Sequence, residues 1–537
     1  MLTKASQLFN SALKLNAYTL VHLTRDCTTT GLFSHGEQLH CHIKKSGFVS
    51  NVFVSTALIN FYVKFEHVLD AHLLFDEIPE PSVVSWNSLI TGYVHSGQFR
   101  KALDFFLQLE KSNLYADSYS LTAALSACGH LSLVQVGKSL HSKIVKYGAE
   151  CSRFVANCLI DMYGKCGFVA DAMKVFRFMV EKDTITWNSV IAANARNGKL
   201  GQAFTILHQM PDPDTISYNE LIDGIARYGD IEDAITLLSK MPNPNSSSWN
   251  SIITGYVNRG IGREAFKLFC KMHMHGVYMD QFTFSSILSG IACLSAVTWG
   301  KLIHCSVLKH GLDRNIVVGS ALIDMYFKCG QINDAEILFR SMPKKNLVTW
   351  NAVISGYAHN GNYTKVIQHF ELLKTMNDLQ PDEISFLNVF SACWHNRIPI
   401  KVISEYFEMM MRDYSIHPTT EHCSLLIRIL GKEGEVKKAK TMINELGYDS
   451  CVMVWKALLG ACVTCGDIEV AEVAAKKIRE LENDDDSEFV YVMMSNIYAS
   501  HGKWDDVGDI RELMNERKVR KEVGYSWVEV DDVMEIE

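Results

Sequence analysis

Proline is scarce, ten residues in a chain of 537. Proline removes a backbone donor and clashes with the preceding turn of a helix, so its rarity leaves long helical stretches open. Several of those present gather at breaks in the pattern: Pro79, Pro81, Pro213, Pro244 and Pro381. No run of about eighteen uncharged apolar residues occurs, so a membrane-spanning helix has no support. No segment alternates apolar and polar residues for long, and strands are not expected. Glycine-rich phosphate loops and low-complexity linkers are also missing. Excess positive charge is absent: 52 Lys and Arg face 60 Asp and Glu, a net of −8. That lacks the basic footprint of many nucleic-acid binders, but the imbalance is local. From Glu482 to Glu537 there are 16 acidic and 6 basic side chains, a net of −10, so the other 481 residues carry +2. A near-neutral body permits a polyanionic partner without arguing for one.

What the chain does contain is repetition. Cys158-Leu159-Ile160-Asp161-Met162-Tyr163-Gly164-Lys165-Cys166-Gly167 returns as Ala321-Leu322-Ile323-Asp324-Met325-Tyr326-Phe327-Lys328-Cys329-Gly330. A weaker copy, Ala57-Leu58-Ile59-Asn60-Phe61-Tyr62-Val63-Lys64, precedes the first by 101 residues. Trp86-Asn87 recurs 101 residues later as Trp187-Asn188, Trp249-Asn250 as Trp350-Asn351, and Leu39-His40 as Leu140-His141. Trp187, Tyr218 and Trp249 are spaced by 31 residues each. A fixed period marks a repeat array. Thirteen units cover the chain, starting near Ala17, Val52, Val83, Ser118, Arg153, Thr184, Thr215, Ser246, Gln281, Ile316, Leu347, Glu383 and Thr420.

Each unit reads as two helices. In the unit from Val83 to Asp117, Val84, Trp86, Leu89, Ile90 and Tyr93 recur at helical spacing; Gly97 breaks the pattern, and Ala102, Leu103, Phe105, Phe106 and Leu109 resume it. One helix pair cannot bury its own apolar stripe, whereas stacked pairs share a continuous core and leave a groove. The expected fold is all-α, an α-solenoid of helix-turn-helix units. Its domain plan is a leader or capping segment at 1–16, thirteen repeats over 17–451, and an acidic helical extension over 452–537.

Fifteen cysteines are spread over the chain, several in phase with the repeat: Cys128 with Cys393, and Cys166 with Cys329. Small thiols buried between helices explain that phasing and imply a reducing compartment. Two strings suggest a zinc-dependent nucleobase deaminase, His35-Gly36-Glu37 and Cys462-Val463-Thr464-Cys465. They stand more than 400 residues apart, and His35 and Glu37 align with Val136 and Lys138 of a later unit, so they occupy ordinary repeat positions. No metal site, cofactor or catalytic residue is expected. Lys4, Lys14 and Arg25 precede the first acid, Asp26, in the manner of a weak organellar transit peptide, with a plain capping segment as the alternative.

The alternating long and short units, with Trp-Asn, Leu-Ile-Asp-Met-Tyr-x-Lys-Cys-Gly and Gly-Lys-x-Leu/Ile-His, resemble the plant pentatricopeptide repeat (PPR) family, in its PLS subclass of mixed repeat lengths. Trp455-Lys456-Ala457-Leu458-Leu459-Gly460-Ala461-Cys462, Ser495-Asn496-Ile497-Tyr498-Ala499-Ser500 and Gly524-Tyr525-Ser526-Trp527-Val528-Glu529-Val530 resemble the E-type extension that follows such arrays. The resemblance implies a right-handed superhelix that binds single-stranded RNA in mitochondria or chloroplasts. With this extension it implies selection of cytidines for C-to-U editing. The family's DYW deaminase domain would follow these motifs, and the chain reaches Glu537 soon after Trp527. A non-catalytic recognition factor recruiting a DYW-type deaminase in trans is therefore expected, with no membrane and no small-molecule substrate. The acidic residues Asp484, Asp485, Asp486, Asp531, Asp532 and Glu535 offer either a partner contact or a solvated surface.

In the family, one unit reads one base through the fifth residue of its first helix and its last residue, while an aliphatic second residue packs on the base faces. Carried over, Thr56 with Ser82 is a weak adenine reader. Asn87 with Asp117, Asn157 with Asp183, Asn188 with Asp214, Asn250 with Asp280 and Asn351 with Asp382 prefer uracil. Asn219 with Asn245 accepts cytosine or uracil, and Ser320 with Asn346 prefers adenine. Val84, Phe154, Ile185, Ile216, Val317 and Val348 are the sandwiching residues; Ser247 departs from that pattern. Long units carry Val21, Thr122, Ser285 and Leu387 at the reading position, and their bases stay open. The implied tract, 5′ to 3′, is A-U-n-U-U-Y-U-n-A-U-n-n, ending four nucleotides before the edited cytidine. Asp, Asn and Ser at a unit's end also suit the N-cap of the next helix, whereas Asn inside a helix has mediocre propensity and needs a polar reason. The tryptophans read as packing residues. Two rival functions are transcript stabilisation, splicing or translation, and a tetratricopeptide-like peptide scaffold.

Overall fold

The computed structural model describes residues 16–112, 114–146, 148, 152–376, 379–396, 398–482 and 488–516. The proposed leader (apart from Asn16), the Gly524–Val530 motif and the acidic residues Asp484, Asp485, Asp486, Asp531, Asp532 and Glu535 lie outside them. Among the described residues every long element is an α-helix, no strand occurs, and no helix is long and apolar enough to cross a membrane.

The chain divides into two compact bodies, Met1–Tyr278 and Met279–Glu537. In the first, the leading helices of successive units are Ala17–Thr30, Val52–Lys64, Val83–His95, Ser118–His130, Arg153–Lys165, Thr184–Arg196, Thr215–Tyr228 and Ser246–Asn258. Each packs on the next and on the second helix of its own unit. The second body repeats the arrangement with Gln281–Leu294, Ile316–Lys328, Leu347–His359, Glu383–His395 and Thr420–Lys432, and carries it on through Val452–Cys465 and Glu488–Ser500. The fold is thus an α-solenoid of helix pairs. A helix begins at each of the thirteen unit starts read from the sequence.

The difference between long and short units lies in the second helix. Leading helices have 13 or 14 residues throughout, whereas second helices have 13 in the units from Val83 and Ser118 but 10 in those from Arg153, Thr184 and Thr215. The register of the leading helix is therefore the same in every unit, which is what places equivalent side chains on one surface.

The sequence motifs are the joints of this stack. His40, His141 and His304 reach the hydroxyls of Tyr62, Tyr163 and Tyr326 in the following unit at 2.8, 2.9 and 2.8 Å. Four residues before those histidines stand Gly36, Gly137 and Gly300, where a Cβ would lie 2.0 Å from the Phe61 ring, 2.5 Å from Met162 Sδ and 2.4 Å from Met325 Sδ. Trp86, Trp187 and Trp350 meet Phe75, Phe176 and Phe339 of the preceding unit edge to face, with centroids at 4.6, 5.0 and 5.1 Å, the packing role read for them.

The phased cysteines divide. Cys128 and Cys393 are fully buried, and burial pushes both thiols up to about 12. Cys166 and Cys329 are only half-buried, each beside a methionine sulfur at 3.9 and 3.8 Å, so close packing accounts for the first pair alone. Cys462 is fully buried with its thiol pushed up to about 12, while Glu37 is exposed.

Candidate functional site

The fifth residue of a leading helix and the last residue of the same unit are far apart in sequence and adjacent in space. Asn87 Nδ2 donates to Asp117 Oδ1 at 2.8 Å, Asn188 Nδ2 to Asp214 Oδ1 at 3.1 Å, and Asn219 Nδ2 to Asn245 Oδ1 at 3.3 Å. Asn157 also hydrogen-bonds the Asp183 carboxylate. In the second body, Asn351 Nδ2 donates to Asp382 Oδ1 at 2.9 Å. The stack generates these contacts: the last residue of one unit is the residue on which the next leading helix starts, and that helix lies against its predecessor.

The last residues are helix caps as well. Asp117, Asp183, Asp214, Asn245, Asn346 and Asp382 each accept the backbone N–H three residues on. One side chain therefore does both jobs: one oxygen holds the turn, and the fifth-position amide leans on it. Burial raises the Asp183 and Asp214 carboxyls, but hydrogen bonds from Thr186 and Asn157, and from Ser217 and Asn188, outweigh it, leaving both below the usual carboxylate range. Both are anions at neutral pH.

Asn157, Asn188, Asn250 and Asn351 are each more than nine-tenths buried. Beside them the second residue of the leading helix points outward. Val84, Phe154, Ile185, Ile216, Val317 and Val348 are 41–64% exposed, an unusual setting for large apolar side chains. A cavity of about 1100 Å³ is lined by Val84, Asn87, Asp117 and Tyr119, and another of about 610 Å³ by Phe154, Asn157, Asp183 and Ile185. Such a cavity offers a donor, an anionic acceptor and apolar walls, the elements needed to hold a flat polar ring by edge and face.

The adenine-type pairs differ. Thr56 and Ser320 send their hydroxyls back to Val52 and Ile316 carbonyls and share a hydrogen bond with Ser85 and Thr349 at 2.7 and 2.8 Å, so each meets its unit's last residue through that hydroxyl. Asn250 belongs to the first body; Asp280 caps Gln281–Leu294 in the second.

Sequence reasoning missed two sets of residues. Tyr18, Phe53, Tyr119, Phe282 and Ile384 also stand exposed at the second position, four of them in long units. Alignment of unit starts was signal enough to find them. The third residue of each leading helix, a serine or threonine in most units, was missed too. It lies beneath the pair and bonds to both members at Ser120, Ser217, Ser248 and Ser385.

Known proteins match this chain along most of its length. The model described as PPR repeat family matches residues 81–130 and 244–293, and the PPR repeat model matches 154–184, 185–212, 216–243, 320–347, 348–377 and 421–451. The E motif matches 466–529. A pentatricopeptide repeat-containing protein of Arabidopsis thaliana is 52% identical over 98% of this chain and 92% of its own length. Another from Arabidopsis thaliana, named as mitochondrial, is 33% identical over 99% of this chain and 65% of its own length. Among solved structures, the pentatricopeptide repeat protein PPR10 from maize aligns over 97% of this chain and 90% of that one, at 16% identity and a TM-score of 0.41.

Proposed function

The chain belongs to the pentatricopeptide repeat family, and on that premise we propose that it is a sequence-specific single-stranded RNA-binding protein that selects cytidines for C-to-U editing. The observation that carries the reading is the recurring constellation at the leading helices: a hydrogen-bonded fifth and last residue beside an exposed apolar second residue. An asparagine amide N–H and a carboxylate oxygen complement the carbonyl and N3–H of uracil. The apolar residues of neighbouring units clasp its faces, so one unit takes one base. The twenty-two residues named as readers and sandwichers in Sequence analysis carry this role.

The E motif supports the editing part of the proposal, in which the extension recruits a DYW-type deaminase in trans and this chain performs no chemistry. We place the protein in the mitochondrion, with the chloroplast as the alternative; two relatives are named as mitochondrial. Near-neutral charge over the array means that affinity rests on base contacts more than on counterion release. Binding to RNA carrying A-U-n-U-U-Y-U-n-A-U-n-n, against RNA with purines at the uracil positions, tests recognition at physiological salt. Equal affinity for the two defeats it. Sequencing organellar transcripts from plants lacking the protein tests the editing role. Loss of editing at cytidines preceded by the tract supports it; intact editing with altered ends, splicing or abundance reassigns the protein to RNA processing.

A further inference from the structure

Beneath four of the Asn-containing pairs lies a serine, the third residue of the next leading helix. Ser120 Oγ donates to Asn87 Oδ1 at 2.5 Å, Ser217 Oγ to Asn188 Oδ1 at 2.7 Å, Ser248 Oγ to Asn219 Oδ1 at 2.6 Å and Ser385 Oγ to Asn351 Oδ1 at 2.6 Å. In each case the same oxygen accepts the backbone N–H of the capping residue, at 3.1–3.3 Å. The hydroxyl's single proton then has two acceptors, the asparagine Oδ1 at 2.5–2.7 Å and the capping Oδ1 at 2.7–3.0 Å, the asparagine being the nearer at Ser120, Ser248 and Ser385 and level at Ser217. With Oδ1 held below, the amide cannot turn over, and it presents only N–H outward.

The pair Asn157 and Asp183 breaks this rule. Its third-position residue is Thr186, fully buried, whose hydroxyl donates to Asp183 Oδ1 at 2.8 Å. Asn157 Oδ1 is buried with no hydrogen-bond partner, though Asn157 is more than nine-tenths buried and lines the 610 Å³ cavity. An unsatisfied buried carbonyl is costly, and the Asp183 carboxylate alone holds that amide in one sense.

We infer that the third-position hydroxyl is a positioning residue for base selection: serine pins the reading asparagine as a donor, and Thr186 leaves Asn157 tethered through Asp183 alone and able to present either edge. This rests on the RNA-reading proposal above. Where the unit's last residue is aspartate, a pinned amide suits the uracil carbonyl and rejects the exocyclic amine of cytosine; an asparagine there, as at Asn245, can itself turn toward either pyrimidine. An unpinned one turns its Oδ1 to that amine and accepts both bases. The fourth nucleotide of the tract, facing Asn157, tolerates cytosine; the fifth, facing Asn188, does not.

The test uses the full chain and synthetic tract RNAs carrying uracil or cytosine at the fourth or the fifth nucleotide, with wild type, Thr186→Ser, Ser217→Thr and Ser217→Ala. Wild type discriminates roughly tenfold at the fifth nucleotide and within about twofold at the fourth. Thr186→Ser raises discrimination at the fourth alone; Ser217→Thr and Ser217→Ala lower it at the fifth alone. A merely structural role changes thermal stability or overall affinity without moving these single-nucleotide ratios. Unmoved ratios overturn the inference while preference for the tract over purine-substituted RNA keeps the parent reading intact. Loss of that preference in wild type overturns both.

Discussion

Asn351 Nδ2 lies 2.9 Å from Asp382 Oδ1, although 31 residues separate them. Asn351 is buried inside a leading helix, and Asp382 caps the next one. Capping and the proposed recognition therefore meet on one carboxylate, and substitutions separate them. Asp382→Ala removes the cap of Glu383–His395 and should cost about 0.5–2 kcal/mol in urea unfolding. Asp382→Asn keeps a capping oxygen and should cost a few tenths of a kcal/mol, yet relax the tenth nucleotide from uracil to either pyrimidine, as with Asn219 and Asn245. If both variants lose stability equally, the capping account is wrong.

Phe154 is half-exposed, so Phe154→Ala should change the unfolding free energy by no more than about 0.5 kcal/mol. The same change removes a face contact and should weaken tract binding by about 1 kcal/mol or more. Unchanged affinity at equal stability would take Phe154 out of the proposed site.

Trp350 behaves in the opposite way. It is 5% exposed and packs edge to face on Phe339, so Trp350→Ala should destabilise the second body by about 3–5 kcal/mol. At temperatures where the variant stays folded, base preference should be unaltered. A selective loss at the tenth nucleotide would reassign the residue from packing to reading.

Close packing at glycine sets another limit. A Cβ on Gly164 would lie 2.6 Å from Ala193 Cβ and 3.0 Å from Ala193 Cα, atoms with no rotamer to yield. Gly164→Ala should cost about 1–3 kcal/mol, measured by thermal unfolding. Gly201→Ala, with nothing within 4 Å of its Cβ, should be neutral or stabilising and serves as the control.

Histidine joints make stability depend on pH. Burial lowers His304, opposed by the Asp334 carboxylate, and burial pushes Tyr326 up to about 12. The tyrosine hydroxyl thus stays protonated and shares a hydrogen bond with Nδ1 of the neutral ring at 2.8 Å. The folded-state pKa lies below the unfolded value of about 6.5, so this stability is present above that value and lost as pH falls through the folded pKa. The urea midpoint should drop between about pH 7.5 and about pH 5, and His304→Gln should shed part of that drop. His40, His130, His369 and His422, also lowered by burial, carry the remainder. An identical pH profile in the variant would sink this assignment.

The array itself was legible in the sequence because a repeat imposes the same burial on the same register each time. Trp86, Trp187 and Trp350 stand in phase, and every unit start read from that phase begins a helix. The apolar residues at the second position were equally legible, although Tyr18, Phe53, Tyr119, Phe282 and Ile384 were passed over. Sequence alone also raised both meanings of the terminal Asp and Asn, cap or reader, and favoured the reader because asparagine inside a helix needs a polar reason.

Periodicity fixes what recurs along one helix, and so determined the α-solenoid, its unit length and which side chains share a face. It does not encode which atoms of neighbouring units meet, since that depends on how two leading helices lie against each other. Only the tertiary packing brought Asn188 onto Asp214 and Ser217 beneath both, while leaving the Asn157 carbonyl above Thr186 without a partner. A hydroxyl has one proton to give, and where it goes is decided by distances of a few tenths of an ångström that no repeat pattern records.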